Sequence, residues 1–428
     1  MRPLNVIIVG AGDRSMIYAR HAEKYPEEMK IVGVAEPNPV RRKIAQEKYG
    51  ISDEMCFESA EELCKREKLA DAVINGTMDE LHVSTSKLLL KCGYHILLEK
   101  PFATNEAEMN ELLVEAQKYD RKVMICHVLR YTPFYLAIKQ ALLDGVIGDV
   151  INIQMAEHVN YNHMAVSYVR GKWASEKICH APMLLAKSCH DIDLLMWMMD
   201  GIKPVSVASF GSDFLFEKTK KPQSAGTRCM VDCPIESECD YSARRHYLIP
   251  PYRWKHYVWT ALEGKDATLE DKENSLKTDN PYGRCVWDCE RDGNVDHQSV
   301  MINFENGATA TFNMIGGSAC SERSIHIIGT KGEIVGVFEK STYSIRKFLP
   351  EEKIGFLEET IDLNVQGDMI GAFGGHGGGD KLIPVDFIRY VNGEKPSISC
   401  TALEKSVIGH LVVFKAEQAR KENKIILL

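Results

Sequence analysis

The sequence predicts an α/β protein with an N-terminal parallel-sheet domain and a C-terminal α/β domain that has an open, mostly antiparallel sheet. One observation is the length of 428 residues, which exceeds what a single hydrophobic core usually organises. Another is a change of pattern near residue 128, where short Val- and Ile-rich runs between helical segments give way to longer, alternating strands. We therefore predict one domain at 1–127 and a second at 128–428.

Five apolar runs in the first part predict parallel strands. They are LNVIIVG, MKIVGVAE, ADAVING, YHILLEK and RKVMICHV. Helical patterns lie between them, and SAEELCKRE opens with the capping-box spacing of Ser59 and Glu62. Strands that alternate with helices imply right-handed crossovers and a parallel sheet.

The second part shows the pattern of an antiparallel sheet with a few helices. In SVMINFENGATATFNM the pair Asn306-Gly307 predicts a type I′ hairpin. The stretch 217–296 is rich in Lys, Asp, Glu, Pro, Tyr and Cys and has little periodicity, so we expect a loop-rich insertion that something must order. Helices are expected around 184–200, 381–392 and 402–423.

Composition limits the partners of the protein. Its 45% hydrophobic and 26% charged residues are ordinary for a globular protein, and a net charge of −8 with a pI near 6.0 gives no support for nucleic acid as a partner. No run approaches a membrane span, and the N-terminus shows no secretory signal. We expect a cytoplasmic protein that binds small solutes, with no membrane or nucleic-acid partner.

The first strand ends in VGAGDRS, which matches most of a dinucleotide-binding loop. Gly10 and Gly12 take the first two positions of G-x-G-x-x-G, and Ser15 stands where the third glycine would be. Glycines there let the chain turn tightly and bring a pyrophosphate close to the N–H groups of the next helix, which opens with Asp13 and Arg14. The alternative is a turn that merely needs glycine.

Glu36 ends the second strand, about twenty residues beyond the glycines. A carboxylate there can accept hydrogen bonds from the adenine ribose hydroxyls and would repel a 2′-phosphate. NAD is therefore favoured over NADP, although the nearby cations Arg41 and Arg42 weaken this preference. The alternative is an ordinary carboxylate at a strand end.

The run LLEKPF places Glu99, Lys100 and Pro101 at the carboxyl end of another strand, where open parallel sheets bind their ligands. A proline there can be cis and redirect the chain. The Lys100 ammonium would then point toward the cleft, where it can polarise a substrate oxygen or pass a proton. The alternative is a surface lysine in a turn.

These residues belong to an ordered set that spans most of the chain outside the insertion. The set is Gly10, Gly12, Glu36, the segment NGTMDELH at 75–82, the run Glu99-Lys100-Pro101, and a helix with His190 followed by Asp191. The set resembles the Gfo/Idh/MocA oxidoreductases, which include inositol dehydrogenase and glucose-fructose oxidoreductase. The resemblance implies a Rossmann domain, an open-sheet second domain, and NAD(P) chemistry on sugars, cyclitols and their glycosides. It also assigns Thr77, His82 and Glu99 to the cofactor side.

The resemblance gives a role to the histidine in LLAKSCHDIDLLMW. His190 would face the nicotinamide and act as acid and base on a carbinol, which suits a side chain that titrates near neutrality. Without the resemblance, a lone histidine in an apolar helix is more often a core residue. Many relatives carry an aspartate four residues earlier, where this chain has Ala186 followed by Lys187. Lys187 either enters the site, where two ammonium groups would lower each other's pKa, or is a solvated or salt-bridged residue.

Candidate substrate residues lie around the predicted domain junction and in one aromatic segment. Sugar sites need planar donors and acceptors and an aromatic face, and the segment 156–173 supplies both. The alternative is a surface loop with incidental aromatic residues. The candidates are Arg130, Tyr131, His158, His163, Arg170, Trp173 and Asp191, together with His376 in the glycine-rich run GGHGGGD.

Five of the thirteen cysteines fall in the insertion: Cys229, Cys233, Cys239, Cys285 and Cys289. Thiolates grouped in a segment without a core suggest a structural tetrahedral zinc site. An iron–sulfur cluster is a second interpretation, because Cys-Pro occurs in such motifs, and unligated thiols are a third. Pairs are separated by three residues rather than two, and five candidates compete for four places.

Three functions remain open at this level. The first is an NAD-dependent dehydrogenase that oxidises a secondary hydroxyl of a sugar, glycoside or cyclitol, with Lys100 and His190 handling the proton. The second retains NAD and cleaves glycosides by transient oxidation, elimination and re-reduction. The third is a non-catalytic NAD or sugar sensor, which has no need of both proton carriers. An exposed sheet face in the second domain predicts a homo-dimer or homo-tetramer.

Overall fold

The computed structural model describes residues 2–250, 253–365 and 377–428. The strands are β1 Leu4–Val9, β2 Met29–Ala35, β3 Cys56–Phe57, β4 Ala72–Asn75, β5 His95–Leu98, β6 Val123–Ile125, β7 Val150–Asn160, β8 Pro204–Ser212, β9 His297–Phe304, β10 Thr309–Ser318, β11 Glu322–Gly329, β12 Gly332–Val337, β13 Thr342–Phe348, β14 Phe356–Asp362 and β15 Ile426–Leu427. The helices are α1 Asp13–Ala19, α2 His21–Lys24, α3 Pro39–Tyr49, α4 Ala60–Leu63, α5 His82–Lys91, α6 Glu106–Lys118, α7 Pro133–Leu143, α8 Tyr161–His163, α9 Glu176–Cys179, α10 Met183–Met198, α11 Lys255–Val258, α12 Leu269–Lys277, α13 Leu382–Asn392 and α14 Leu403–Glu422.

The first sheet is parallel, with the order β3-β2-β1-β4-β5-β6. All five apolar runs of the sequence form its strands, because strands covered by helices on both faces need side chains that are apolar on both sides. The order reverses between β1 and β4, which opens a crevice at the carboxyl ends of these two strands. Every predicted residue of the glycine loop lies at this crevice.

Capping at α4 is only half of what the sequence predicts. The Ser59 hydroxyl accepts the N–H of Glu62 at 3.3 Å, as a capping box requires. The Glu62 carboxylate accepts the N–H of Glu58 at 2.6 Å instead of that of Ser59. The box is therefore incomplete, and the helix that follows is a single turn.

The second sheet has the order β14-β13-β12-β11-β7-β10-β9-β8-β15. Strands β7 and β10 are parallel, and the other described neighbours are antiparallel. This confirms the predicted α/β class with an open, mostly antiparallel second sheet. Helix α10 packs on this sheet through β7 and β10 and also contacts α14.

The hairpin between β9 and β10 forms where it is predicted, but with another turn. Gly307 has φ of +86°, whereas Asn306 lies outside the left-handed region. The N–H of Gly307 donates to the carbonyl of Phe304 at 3.0 Å. A type I turn followed by a left-handed glycine fits this geometry. The predicted type I′ turn is wrong, since it needs positive φ at both central residues.

Helix α10 explains why a histidine sits in such an apolar run. Nearly all of its residues are buried, because it is covered on several sides, and a helix in that position must be apolar around its whole circumference. The helices predicted at 381–392 and 402–423 appear as α13 and α14. Within the described ranges, the structure contains no helix with the length and apolarity needed to traverse a bilayer.

The stretch 217–296 connects β8 to β9 and has a small core of its own. Tyr247, Trp254 and Trp259 are buried in this core with Leu276 and Cys229. The expectation of a segment without a core is therefore wrong, because widely spaced aromatic residues build one without helical or strand periodicity. The segment also reaches the first domain, where the Glu263 carboxylate pairs with Arg41 at 2.8 Å.

Candidate active site

The glycine loop is built by close backbone contact between two neighbouring strand ends. Gly10 has φ of +80°, and a Cβ atom there would lie 2.7 Å from the carbonyl oxygen of Gly76, which follows β4. Ser15 is fully buried, and a Cβ atom on Gly76 would lie 2.1 Å from its hydroxyl oxygen. Gly12 precedes α1 and supplies no side-chain cap, so the N–H groups of the first turn receive no side chain from it. The loop therefore tolerates only small residues and presents backbone donors.

Glu36 holds the glycine loop in place. One carboxylate oxygen accepts the N–H of Ala11 at 2.7 Å, and the other accepts the N–H of Asn38 at 2.9 Å. Each oxygen has a further lone pair, which a ribose hydroxyl can still use. Arg41 is paired with Glu263, and Arg42 donates to the main-chain carbonyl of Glu36. Both neighbouring cations are thus engaged elsewhere.

Glu99 is the centre of a buried network at the start of the crevice. Its Oε1 atom accepts from the Tyr18 hydroxyl at 2.6 Å and from Nε of Arg14 at 3.1 Å. The same guanidinium pairs with Asp380. Burial would raise the pKa of Glu99, but the cations of Arg14 and Lys100 overcome this and hold it below its usual range. Glu99 and Arg14 therefore position the loop; Asp13, in the same turn of α1, is exposed.

His82 joins the two loops that follow β4 and β5. Its ring nitrogens lie 2.7 Å from the carbonyl oxygen of Pro101 and 3.1 Å from that of Thr77. The Lys100–Pro101 peptide bond is cis. The Thr77 hydroxyl donates to the side-chain oxygen of Asn75 at 2.9 Å. Thr77 thus lies next to the glycine loop, while His82 acts through the loops that it connects.

Lys100 and His190 meet at the same end of α10. The Lys100 Nζ atom donates to the carbonyl oxygen of Ala186 at 3.1 Å. Ala186 precedes His190 by four residues, so the two share one face of the helix. The main-chain oxygen of Ala186 thus receives the ammonium at the position where many relatives carry an aspartate. The structure brings the two predicted proton-handling residues to adjacent turns.

Two further histidines, which the sequence analysis did not identify, extend from His190. The His127 ring centroid lies 5.5 Å from that of His190 and 5.7 Å from that of His410. Burial lowers the pKa of His127, and the cations Arg130 and Lys100 lower it further. Burial and His127 also lower the pKa of His410. Directly after the last strand of the first sheet, His127 was open to detection; His410 lies in α14 and gave no signal.

Lys187 is salt-bridged, which is the second of its two predicted roles. Its Nζ atom lies 2.7 Å from a Glu157 carboxylate oxygen. Burial lowers the pKa of Lys187, while Glu157 opposes this effect. Arg323 also pairs with Glu157 and donates to Asp191 at 2.9 Å. Because Asp191 is fully buried in this cluster, the structure does not place it against a substrate.

Arg130 and Tyr131 are also buried and engaged with the protein. Arg130 forms a two-fold hydrogen-bonded pair with Asp193, at 2.7 and 2.6 Å. The Tyr131 hydroxyl donates to Asp386 at 2.9 Å. Both partners are distant in sequence, which is why these residues could pass for substrate contacts. Neither reaches the crevice in the structure.

Aromatic residues of the second domain and the insertion form a wall that contacts the first domain; we call His163, Tyr168, Trp173, Trp254 and Tyr257 the aromatic wall. The Trp173 indole N–H donates to the Asp79 carboxylate of the segment after β4, at 2.8 Å. Its ring is stacked on Tyr168, with 6.0 Å between centroids. His163 lies 4.8 Å from Trp254, and Trp173 lies 6.2 Å from Tyr257. Burial lowers the pKa of His163.

The remaining predicted residues are dispersed. His158 is half-buried on β7, and Arg170 is buried against the insertion, where its guanidinium donates to the carbonyl oxygens of Arg284 and Tyr241. His376 lies outside the described residues. Among the residues that are described, no group of three or more His, Cys, Asp or Glu side chains is arranged to hold a metal ion. The expected zinc site therefore has no support from the geometry.

A parallel doubly wound sheet with a glycine loop, joined to an open-sheet domain, defines a dinucleotide-binding protein of two domains. Residues 4–127 match the family model described as oxidoreductase family, NAD-binding Rossmann fold. Residues 139–404 match the model of the C-terminal alpha/beta domain of the same family. The chain belongs to the Gfo/Idh/MocA family of oxidoreductases.

Similar proteins carry the names of oxidoreductases. The candidate oxidoreductase YteT of Bacillus subtilis (strain 168) is 26% identical over 397 residues, which cover 89% of this chain and 88% of YteT. Trans-1,2-dihydrobenzene-1,2-diol dehydrogenase of Xenopus tropicalis is 28% identical over 259 residues, covering 60% of this chain and 71% of that protein. The crystal structure of apo scyllo-inositol dehydrogenase from Lactobacillus casei superposes with a TM-score of 0.64 at 16% identity, covering 100% and 98% of the two chains. That last likeness concerns the fold.

Proposed function

We propose that the protein is an NAD-dependent dehydrogenase that oxidises a secondary hydroxyl of a sugar, glycoside or cyclitol. The observation that carries this proposal is the hydrogen bond from Lys100 Nζ to the Ala186 carbonyl. It holds an ammonium group one helical turn from His190, at the carboxyl edge of the parallel sheet. The names of the similar diol and inositol dehydrogenases favour a hydroxylated carbon as the site of oxidation.

The residues at the crevice fit a dinucleotide. The close approach of Gly10 to Gly76 and the buried Ser15 leave backbone donors facing the crevice. Gly10, Gly12 and the first turn of α1 would hold the pyrophosphate. Glu36 would accept from the adenine ribose and disfavour a 2′-phosphate, so NAD is preferred to NADP. When bound, NAD supplies the acceptor for hydride.

The chain's own residues handle the proton. As hydride leaves the substrate carbon, His190 takes the hydroxyl proton, and in the reverse reaction it returns that proton. The Lys100 ammonium donates a hydrogen bond to the same substrate oxygen and stabilises the negative charge that develops there. The aromatic wall, above all Trp173, offers an apolar face to the ring of the substrate.

The same proposal includes a homo-dimer or homo-tetramer formed through the outer face of the second sheet. Phe210, Met301 and Ile315 point outward from β8, β9 and β10, with 67%, 58% and 41% of their surfaces exposed. Adjacent apolar side chains of this size on one face favour contact with a second copy. Light scattering should give a multiple of the 48.2 kDa chain mass, and M301E combined with F210E should give the monomer. A monomeric unmodified protein would contradict this part of the proposal.

The activity is tested by incubating the purified chain with NAD and a panel of sugars, glycosides and cyclitols. Reduced cofactor, followed by absorbance, and the sugar products are measured in the same samples. We expect reduced NAD to accumulate in step with an oxidised product. Release of the aglycone without net NADH would instead indicate redox-assisted glycoside cleavage. Tight binding of NAD and sugar with no product from any compound would indicate a sensor.

A further inference from the structure

Four cysteines of the insertion line one partly open cavity of about 300 Å³. They are Cys229, Cys233, Cys239 and Cys285. Cys289, the fifth candidate, is buried outside this lining and donates its S–H to the carbonyl of Cys285 at 3.4 Å. The structure thus separates four cysteines from five, which the spacing in the sequence cannot do.

The backbone brings the distant pair Cys229 and Cys285 together. The N–H of Cys229 donates to the carbonyl of Gly283, and the N–H of Cys285 donates to that of Thr227, both at 2.9 Å. These bonds form an antiparallel bridge centred on Arg228 and Arg284. In such a bridge the two cysteines are diagonal neighbours on one face. The juxtaposition therefore rests on main-chain hydrogen bonds.

Hydrogen-bond donors point at the sulfur atoms. The Arg170 guanidinium donates to Sγ of Cys229, and the N–H of Tyr241 donates to Sγ of Cys239, both at 3.4 Å. Donors of this kind are a regular feature around ligated sulfur, where they tune the potential of a cluster. The sulfur atoms of the cavity thus act as acceptors, as thiolates do.

Arg170 adds a charge argument. Its side chain is 4% exposed, and its nearest acceptors are the main-chain oxygens of Arg284 at 2.7 Å and Tyr241 at 2.8 Å. No ion pair joins it to a carboxylate in the described part of the chain. The Glu236 carboxylate, which also lines the cavity, is engaged with Ser242 and Arg244. A buried cation is costly unless an anion faces it, and the cavity beside Arg170 offers thiolates as that anion.

The arrangement favours a cluster over a single ion. In the described ranges, no three of these side chains converge as one metal ion requires, yet four of them surround a common space. A cluster accepts wider separations than one ion because each cysteine binds a different part of it. Cys233 is followed by Pro234, a pair that recurs in iron–sulfur motifs. We propose that Cys229, Cys233, Cys239 and Cys285 ligate an iron–sulfur cluster.

The cluster would stabilise one side of the active site. Arg170 lies between Tyr168 and Trp173 of the aromatic wall in sequence, and the insertion contributes Trp254 and Tyr257 to that wall. Ligation would fix the Cys229–Cys239 loop against Arg170 and thereby hold both parts of the wall. Its role is structural, and the hydride chemistry proposed above does not depend on it.

The test is metal and sulfide analysis of the full-length chain purified without oxygen. We expect iron and acid-labile sulfide in equal amounts, about two or about four of each per chain, with visible sulfur-to-iron absorption. C229S and C239S should lose most of the iron and this absorption. C289S is the matched control, a buried thiol of the same segment outside the cavity, and should retain both.

Three results would overturn the proposal. One is an unmodified chain that binds neither iron nor sulfide after reconstitution with ferrous iron and sulfide. Another is stoichiometric zinc in place of iron. The third is an equal loss of iron in C289S and C229S. The first two need no variant, so a folding defect in C229S or C239S leaves the proposal open to disproof. All readouts are independent of dehydrogenase activity.

Discussion

The Lys100 ammonium of the first domain donates to the main-chain oxygen of Ala186 in the second, at 3.1 Å. The bond connects the end of β5 to the turn of α10 that precedes His190. A main-chain acceptor carries no full charge, so Lys100 can exchange this partner for a substrate oxygen without leaving a buried carboxylate unpaired. The bond thus positions the ammonium and leaves it available.

Replacing Lys100 with methionine should abolish most of the turnover while sparing the cofactor site. We expect kcat to fall by about a hundred- to ten-thousand-fold, the usual contribution of one proton-handling group. NAD affinity should change little, because Glu36 and the glycine loop are untouched. Steady-state kinetics and NAD titration followed by fluorescence measure the two quantities. K118A, at an exposed lysine of α6, is the control, and normal turnover in K100M would exclude the proposed role.

The elements that the sequence predicts well are those with a local cause. Buried parallel strands need continuous apolar runs, so all five were visible, and the glycine loop follows from the tight approach of Gly10 to Gly76. The capped start of α4 and the hairpin were also visible, but their details were not. In both cases the missing detail depends on one more backbone contact than the local motif specifies.

The substrate side could not be predicted in the same way. Arg130, Tyr131 and Asp191 have polar side chains near predicted strand and helix ends, which is also where ligands bind. Their partners Asp193, Asp386 and Arg323 decide that they are structural, and two of these partners come from far along the chain. His410 is equally hidden, because only the packing of α14 brings it beside His127.

Glu36 should control both the choice of cofactor and the order of the glycine loop. In E36A the N–H groups of Ala11 and Asn38 lose their acceptor, and a lost buried hydrogen bond costs about 1–3 kcal/mol. We expect NAD to bind more weakly, and NADP to lose less because the repulsion of its 2′-phosphate is gone. Fluorescence titration with both dinucleotides gives the ratio. E58A, at an exposed carboxylate near Arg42, should leave the ratio unchanged; an unchanged ratio in E36A would count against the assignment.

Arg130 should behave as a structural residue, in contrast to the sequence-based expectation. Removing one member of its buried pair with Asp193 leaves an isolated charge, at a cost of about 3–5 kcal/mol. R130M should therefore lower the urea midpoint strongly, and the double variant R130M/D193L should recover part of the loss. A variant R130M of normal stability with a raised KM would instead support the substrate role.

Acid should destabilise the protein from about pH 6.5 downward, partly through His410. The N–H of Phe102 donates to Nε2 of His410 at 3.3 Å, so this nitrogen carries no proton, and burial together with His127 lowers the pKa of the ring. The unfolded chain then binds a proton that the folded chain excludes. Its stability contribution is complete above the unfolded pKa of about 6.5 and is lost as the pH falls below it, by up to about 1.4 kcal/mol per pH unit for each such histidine.

His127 and His163 act in the same direction, because burial lowers the pKa of each. Asp191 and Asp193 act in the opposite direction, since burial raises the pKa of each, so the wild-type slope alone does not isolate His410. H410Q keeps an acceptor for the Phe102 N–H but cannot be protonated, and it should flatten the loss of the free energy of unfolding between pH 6.5 and 5. Urea unfolding at several pH values measures the slope, with H256Q, at an exposed histidine, as the control. An identical slope in H410Q and the wild type would show that His410 is not excluded from protonation in the folded state.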